Sequence, residues 1–176
     1  IEEILKKANK QDVKNIRSFK VLKNQRFIEF PKSGLTEMKK IIKSILKLNG
    51  CLLMVDYGYL NPNNQNTLQS VKKNRRNELF QDLGKADITS HVNFSLLKEF
   101  FLKNKFKVKK IISQKEFLIK MGINTRAEII AKKMKFRDQA NLYLRLKRLL
   151  SPKLMGELFK VILVYKSKND NYYGFN

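Results

Sequence analysis

Between residues 35 and 59 the apolar and polar positions fall into blocks that read as a helix, a turn and a strand. Leu35, Met38, Ile41, Ile42, Ile45 and Leu46 recur at helical spacing and would line one face. Asn49-Gly50 provides the stop. Cys51-Leu52-Leu53-Met54-Val55 is then an unbroken apolar run, the pattern of a strand covered on both faces. It ends abruptly in Asp56-Tyr57-Gly58-Tyr59. In open α/β sheets ligands bind beyond the carboxyl ends of the strands, so Asp56, Tyr57 and Gly58 are candidate site residues. Asp56 capping a turn and Gly58 supplying a positive φ would explain the same pattern without any ligand.

Upstream, Ile4, Leu5, Ala8, Val13 and Ile16 suggest a loose helix within residues 1–17. Lys20-Val21-Leu22 and Arg26 to Phe30 read as a hairpin around Lys23-Asn24-Gln25. Asn61 to Asn66 is too polar to pack and is expected as an exposed loop. Asn93 can cap a helix carrying Leu96, Leu97, Phe100 and Phe101, with a strand from Phe106 to Ile112 after it. Ser113 with Glu116 and Thr125 with Glu128 have capping-box spacing, so helices are expected after each, the first ending at Gly122. A helix over about Arg137 to Leu150 and a last strand from Leu158 to Tyr165 complete the elements. The polar tail is expected to be loose, with Tyr172, Tyr173 and Phe175 free to dock.

The chain has 176 residues and 43% hydrophobic content, enough for one domain with a core. No apolar run reaches the ~18 residues that a membrane span needs, and no secretory leader is visible. One cysteine and one histidine exclude a disulfide framework and a Cys/His zinc site. Cys51, inside the strand, reads as a small core hydrophobe. The 38 Lys plus Arg against 15 Asp plus Glu give a formal charge of +23, which favours polyanionic partners. These cations are spread along the chain, however, and the run from Lys132 to Arg148 reads as the solvated basic face of an amphipathic helix. A solvated basic surface with only non-specific nucleic-acid binding is therefore expected; a dedicated nucleic-acid-binding module is the alternative.

Several short motifs stand in a definite order: Val55-Asp56-Tyr57-Gly58-Tyr59, Asn66-Thr67-Leu68-Gln69, and Gly84-Lys85-Ala86-Asp87-Ile88-Thr89-Ser90-His91-Val92-Asn93-Phe94. Gln114, Phe117-Leu118, Met121-Gly122-Ile123 with Arg126, and Leu154-Met155-Gly156-Glu157-Leu158-Phe159 follow. The series, from about Phe27 to Tyr165, resembles the C-terminal half of the MidA-type S-adenosylmethionine (SAM) dependent methyltransferases, whose mitochondrial members assist complex I assembly by dimethylating an arginine. The resemblance implies an α/β fold: the C-terminal part of a Rossmann-like class I methyltransferase sheet with a helical insertion. Residues 1–30 would be an N-terminal helix and hairpin, 31–166 the methyltransferase-like part, and 167–176 a flexible tail. Asn93 and Asn74 stand where the family has Asp and His.

In that family the SAM-binding elements precede the region matched, and no glycine occurs here before Gly34. The chain, starting at Ile1, is accordingly expected to be a C-terminal fragment that does not bind SAM alone. Its implied partners are the missing N-terminal half, as a separate polypeptide, and a protein substrate, in the bacterial cytoplasm or the mitochondrial matrix. No membrane partner is expected. Methylating a guanidinium calls for alignment of the acceptor and for carboxylates that hold it. Asp56, Asp87 and His91 are the candidate catalytic residues, with His91 acting as a base or orienting a carboxylate. A lone His before a helix is also a common structural hydrogen-bond partner. Tyr57, Gly58, Thr67 and Thr89 are the candidate substrate-binding residues.

Overall fold

The structure is a computed structural model that describes residues 4–62, 64–168 and 170–176. Its sheet is built around β1 (Cys51–Tyr59), which follows α2 (Lys32–Leu48). Asn49 closes α2 in the left-handed conformation (φ 53°), with its own and the Gly50 amide bonded back to the last turn. The helix runs three residues further toward the N-terminus than its apolar spacing indicates. Leu35 and Ile42 are buried, Met38 and Ile45 pack beside them, and Ile41 and Leu46 remain exposed.

After β1 the chain forms β2 (Gln69–Lys72), β3 (Arg75–Asn77) and β4 (Asp87–Thr89), a small antiparallel sheet in the order β3-β2-β4 that the loop-like composition of this region concealed. The short β5 (Val92–Asn93) leads into α3 (Phe94–Lys103), which Asn93 caps by accepting the Leu96 amide at 3.0 Å. Next come β6 (Lys107–Val108) and β7 (Ile112–Ser113). The expected strand from Phe106 to Ile112 is thus two short ones, both paired with the last strand. An insertion of α4 (Gln114–Lys120), α5 (Ile123–Ala131), α6 (Phe136–Leu150) and the single turn α7 (Met155–Leu158) precedes that strand, β8 (Phe159–Tyr165). Ser113 caps α4, accepting the Glu116 amide at 3.2 Å. Buried Gln114 ties α4 to α6 through the Leu149 carbonyl. Thr125 does not start α5, because Gly122 (φ 78°) turns the chain earlier and Thr125 lies inside the helix.

The main sheet has the order β5-β1-β8-β6. Strand β8 lies antiparallel between β1, which it pairs from Cys51↔Tyr165 to Tyr57↔Phe159, and β6. The core sits between this sheet and α2 and α3: Phe94, Phe101, Leu96, Ile162 and Val164 are all but inaccessible, and Leu52 and Met54 reach them from β1. Among the described residues no helix is long and apolar enough to cross a membrane.

Three expectations need correction. The hairpin within residues 20–30 does not form. Lys20–Leu22 is a 3-10 turn whose leading amides, Lys20 and Val21, donate to the Glu99 carboxylate (2.8 and 2.9 Å), while the Arg26 amide donates to the Asn64 side chain (2.8 Å). With their donors engaged elsewhere, the two segments have no ladder to make. The N-terminal helix is confined to α1 (Lys10–Arg17), and residues 1–3 of the expected helix, like Asn63 in the loop, lie outside the described residues. Second, β1 is covered on one face only: Cys51, Leu53 and Val55 are exposed, so Cys51 is not a core residue. Third, the C-terminal residues pack instead of hanging loose. Tyr172 sits 4.8 Å from Tyr165 (ring centroids), Phe175 sits 5.5 Å from Phe117, and Tyr173 alone of the three aromatics projects outward.

Candidate functional site

The carboxyl end of β1 is held by a close backbone approach. A Cβ on Gly58 would lie 2.1 Å from the Val92 carbonyl oxygen and 2.9 Å from the Phe94 ring, so only glycine fits where β5 pairs with β1. That pairing places His91, just before β5, beside the strand tip. The His91 ring meets the Tyr57 ring edge-on at 5.5 Å, and Tyr57 makes a second edge contact with Phe159 at 5.6 Å.

Thr67 joins the same group. Its hydroxyl accepts the His91 amide (2.9 Å) and donates to Glu29 (2.6 Å), and its own amide donates to the second Glu29 oxygen (2.9 Å). Glu29 therefore uses both carboxylate oxygens to fasten the 66–68 loop. Tyr59 completes the surround. Burial, then the negative charge of Glu29, push its phenol above the ordinary tyrosine range, and a hydrogen bond with Asn93 offsets part of this. These residues open onto a cavity of about 480 Å³ lined by Tyr59, Thr67, Gln69, Arg76, Asn77 and His91, among others.

The structure therefore brings together Tyr57, Gly58, Thr67 and His91 from the sequence-predicted set. Of the predicted residues only Thr67 and His91 line the cavity; Tyr57 and Gly58 pack behind them at the strand tip, and Asp56 and Asp87 are not part of it. Alternation along β1 puts Asp56 on the face of Leu52 and Met54, where it accepts the next amide, that of Tyr57, at 2.8 Å. Asp87 is exposed on β4 opposite Val71, and Thr89 is half-buried opposite Gln69. Glu29, Tyr59 and Arg76 were not singled out from the sequence. Glu29 could not have been, since its partner lies 38 positions away.

The site offers an imidazole, a protonated phenol and an arginine around a polar opening at a strand tip, an arrangement suited to orienting a substrate group and taking a proton from it. It does not suit a nucleoside cofactor. Such a site would use a glycine-rich turn after a strand, and the one glycine at this tip, Gly58, has its space filled by Val92 and Phe94. Among the described residues no group of three or more His, Cys, Asp or Glu converges as a metal site.

Residues 2–112, well over half of the chain, match the family described as "Putative S-adenosyl-L-methionine-dependent methyltransferase". The protein arginine methyltransferase NDUFAF7, mitochondrial, of Danio rerio is 28% identical over 127 residues, 72% of this chain and 30% of that protein. Two crystal structures from Burkholderia thailandensis share the fold at 26% identity. One, of an uncharacterized ACR superfamily protein, has a TM-score of 0.58 and covers 73% of this chain and 34% of its own. The other, bound to S-adenosyl-homocysteine, has a TM-score of 0.57 and covers 72% and 33%. The chain thus spans about a third of the length of these relatives. On the family match over well over half of its length, the chain belongs to the MidA-type family of SAM-dependent methyltransferases.

Proposed function

We propose that this chain is the acceptor side of a SAM-dependent protein arginine methyltransferase, with a respiratory-complex subunit as the substrate class. The observation that carries this reading is the cavity at the carboxyl end of β1, framed by Tyr59, Thr67 and His91. The similarity to a protein named as an arginine methyltransferase supports the choice of acceptor. When bound, the cofactor supplies an electrophilic methyl group. The tasks left to this chain are to seat the acceptor and to take its proton. His91 is the base, its ring packed edge-on against Tyr57 and its backbone fixed by Thr67. Tyr59 accepts a hydrogen bond from the incoming guanidinium through its phenol oxygen, and the Glu29 grip on Thr67 keeps the loop in place.

The cofactor side comes from polypeptide outside these 176 residues, and the chain alone is inactive. The similarity to a mitochondrial protein fits action in the mitochondrial matrix; the bacterial cytoplasm is the other setting. Binding to nucleic acid is weak and salt-sensitive, as spread-out cations dictate.

Calorimetric titration of the chain with SAM tests its dependence on a second part. No heat of binding is expected from the folded chain, and one-to-one binding would overturn that dependence. The acceptor is tested by co-expressing the chain with the portion of the S-adenosyl-homocysteine-bound Burkholderia relative that it does not cover, then supplying methyl-labelled SAM and a respiratory-complex preparation. Label recovered as methylarginine after hydrolysis is expected; label on another residue type, or none, sinks the arginine reading.

A further inference from the structure

The cavity at the tip of β1 carries one fixed charge. Of the residues lining it, Arg76 is the only Lys, Arg, Asp or Glu; the others are amides, hydroxyls, leucines and His91. Arg76 is exposed on β3, opposite Val71, and among the described residues its guanidinium has no hydrogen bond or ion pair. Its neighbours are engaged with one another. Asp82 pairs with Lys72 at 2.5 Å, and the Asn77 side-chain amide donates to the Ser70 hydroxyl and the Gln81 carbonyl at 3.4 and 3.0 Å. Glu78, close by in sequence, does not line the cavity.

The other carboxylates near the strand tip are spent or lie elsewhere. Glu29 gives both oxygens to Thr67, Asp56 accepts the Tyr57 amide, and Asp87 is outside the cavity. A cationic acceptor entering here therefore meets a like charge, with no carboxylate among the lining residues to offset it. The substrate itself can carry that carboxylate. A guanidinium presents its donors as a rigid planar fork, which a carboxylate fits with two parallel hydrogen bonds.

We propose that Arg76 is a specificity-determining residue, pairing with an acidic side chain close to the acceptor in the substrate polypeptide. The inference rests on the reading of this cavity as the acceptor side. An Asp or Glu near the acceptor binds Arg76 and cancels the repulsion between Arg76 and the incoming cation, so acidic neighbours are selected and uncharged or basic ones are disfavoured. The formal +23 of the chain attracts any acidic polypeptide without discrimination. Arg76 adds position, because its charge alone stands at the cavity.

Arg75 supplies the control: it adjoins Arg76, is exposed, has the same charge and does not line the cavity. The full chain is titrated at physiological salt with fluorescent arginine-containing peptides in which a single glutamate is moved stepwise along either side of the arginine, or replaced by glutamine. At the best position the glutamate peptide is expected to bind roughly fivefold more tightly than its glutamine counterpart, as an exposed charge pair allows. Arg76→Gln should bring the two to parity, and Arg76→Glu should make the corresponding lysine peptide the better ligand. Arg75→Gln should keep the preference. Unfolding midpoints should stay unchanged, because both arginines already face water. No binding, equal losses in Arg75→Gln and Arg76→Gln, or a preference that survives Arg76→Gln would overturn the proposal. So would a preference that vanishes once the chain is co-expressed and purified with the uncovered portion of the Burkholderia relative, since Arg76 would then be paired within the enzyme. No methyl transfer enters this readout, so an acidic preference that depends on Arg76, combined with methyl label on a residue other than arginine, refutes the arginine reading and leaves this one standing.

Discussion

Glu29 holds Thr67 through both of its carboxylate oxygens, across 38 positions of sequence, and Thr67 passes the constraint to the His91 amide. This joins the segment before α2, the 66–68 loop and the residue beside the strand tip into one unit. Glu29→Gln keeps the shape but replaces two charge-assisted bonds with at most one good acceptor. A loss of about 1–2 kcal/mol in urea unfolding is expected, with faster hydrogen exchange at the Thr67 and His91 amides. Unchanged exchange at both amides would show that Glu29 does not order the loop.

Gly58 and Gly84 separate two uses of glycine. An added methyl at Gly58 would run into the Val92 carbonyl, which is backbone and cannot swing aside. At Gly84 (φ 77°) nothing lies within 4 Å of the added atom, and only the left-handed conformation opposes it. Gly84→Ala should therefore cost about 1–2 kcal/mol. Gly58→Ala should cost on the order of 3 kcal/mol or more, because it must part β5 from β1. Chemical denaturation of both variants checks the order, and equal losses would mean that the β1–β5 junction yields easily.

The last strand and the C-terminal segment share a pH-sensitive contact. The Tyr165 hydroxyl donates to Asp170, which also pairs with Lys109 at 2.9 Å. That hydrogen bond, followed by burial and the Asp170 charge, raises the Tyr165 phenol to about 12. The folded value exceeds the unfolded one, near 10, so this contribution is complete below pH 10 and is lost as pH rises toward 12. Ultraviolet titration should show two of the six tyrosines, Tyr59 and Tyr165, ionising late, and Asp170→Asn should bring Tyr165 alone back. Two late tyrosines persisting in Asp170→Asn would place the cause of the Tyr165 shift elsewhere.

What was legible in the sequence was local. The α2 spacing, the Asn93 and Ser113 caps and the strand-tip residues Tyr57 and Gly58 depend on neighbours a few positions apart, and the structure contains them. The run Cys51 to Val55 misled because five apolar residues look alike whether the outer face is covered by this chain or left for something else to cover. The Arg26 to Phe30 segment misled for a related reason: its Arg26 amide is satisfied by Asn64, a side chain no strand pattern reveals. Of the site, His91 was legible through the motif around it, whereas Glu29 and Arg76 enter only once distant segments are brought together.

Glu99 shows the same dependence on distant partners, with a consequence at acid pH. Its carboxylate accepts the Lys20 and Val21 amides, 79 and 78 positions away, and pairs with Lys103 at 3.2 Å. Burial pushes this carboxyl up, but the two amides and Lys103 together outweigh it, so its pKa lies below the usual glutamate value. A depressed folded value means that the stabilisation is present above the unfolded pKa, near 4.5, and is lost as pH falls through the lower folded one. Glu99→Gln should remove that part of the acid dependence and free the Lys20–Leu22 turn from α3. Unfolding midpoints measured from pH 6 down to pH 3 should fall less steeply for Glu99→Gln than for the parent chain; parallel curves would show that Glu99 titrates alike in both states.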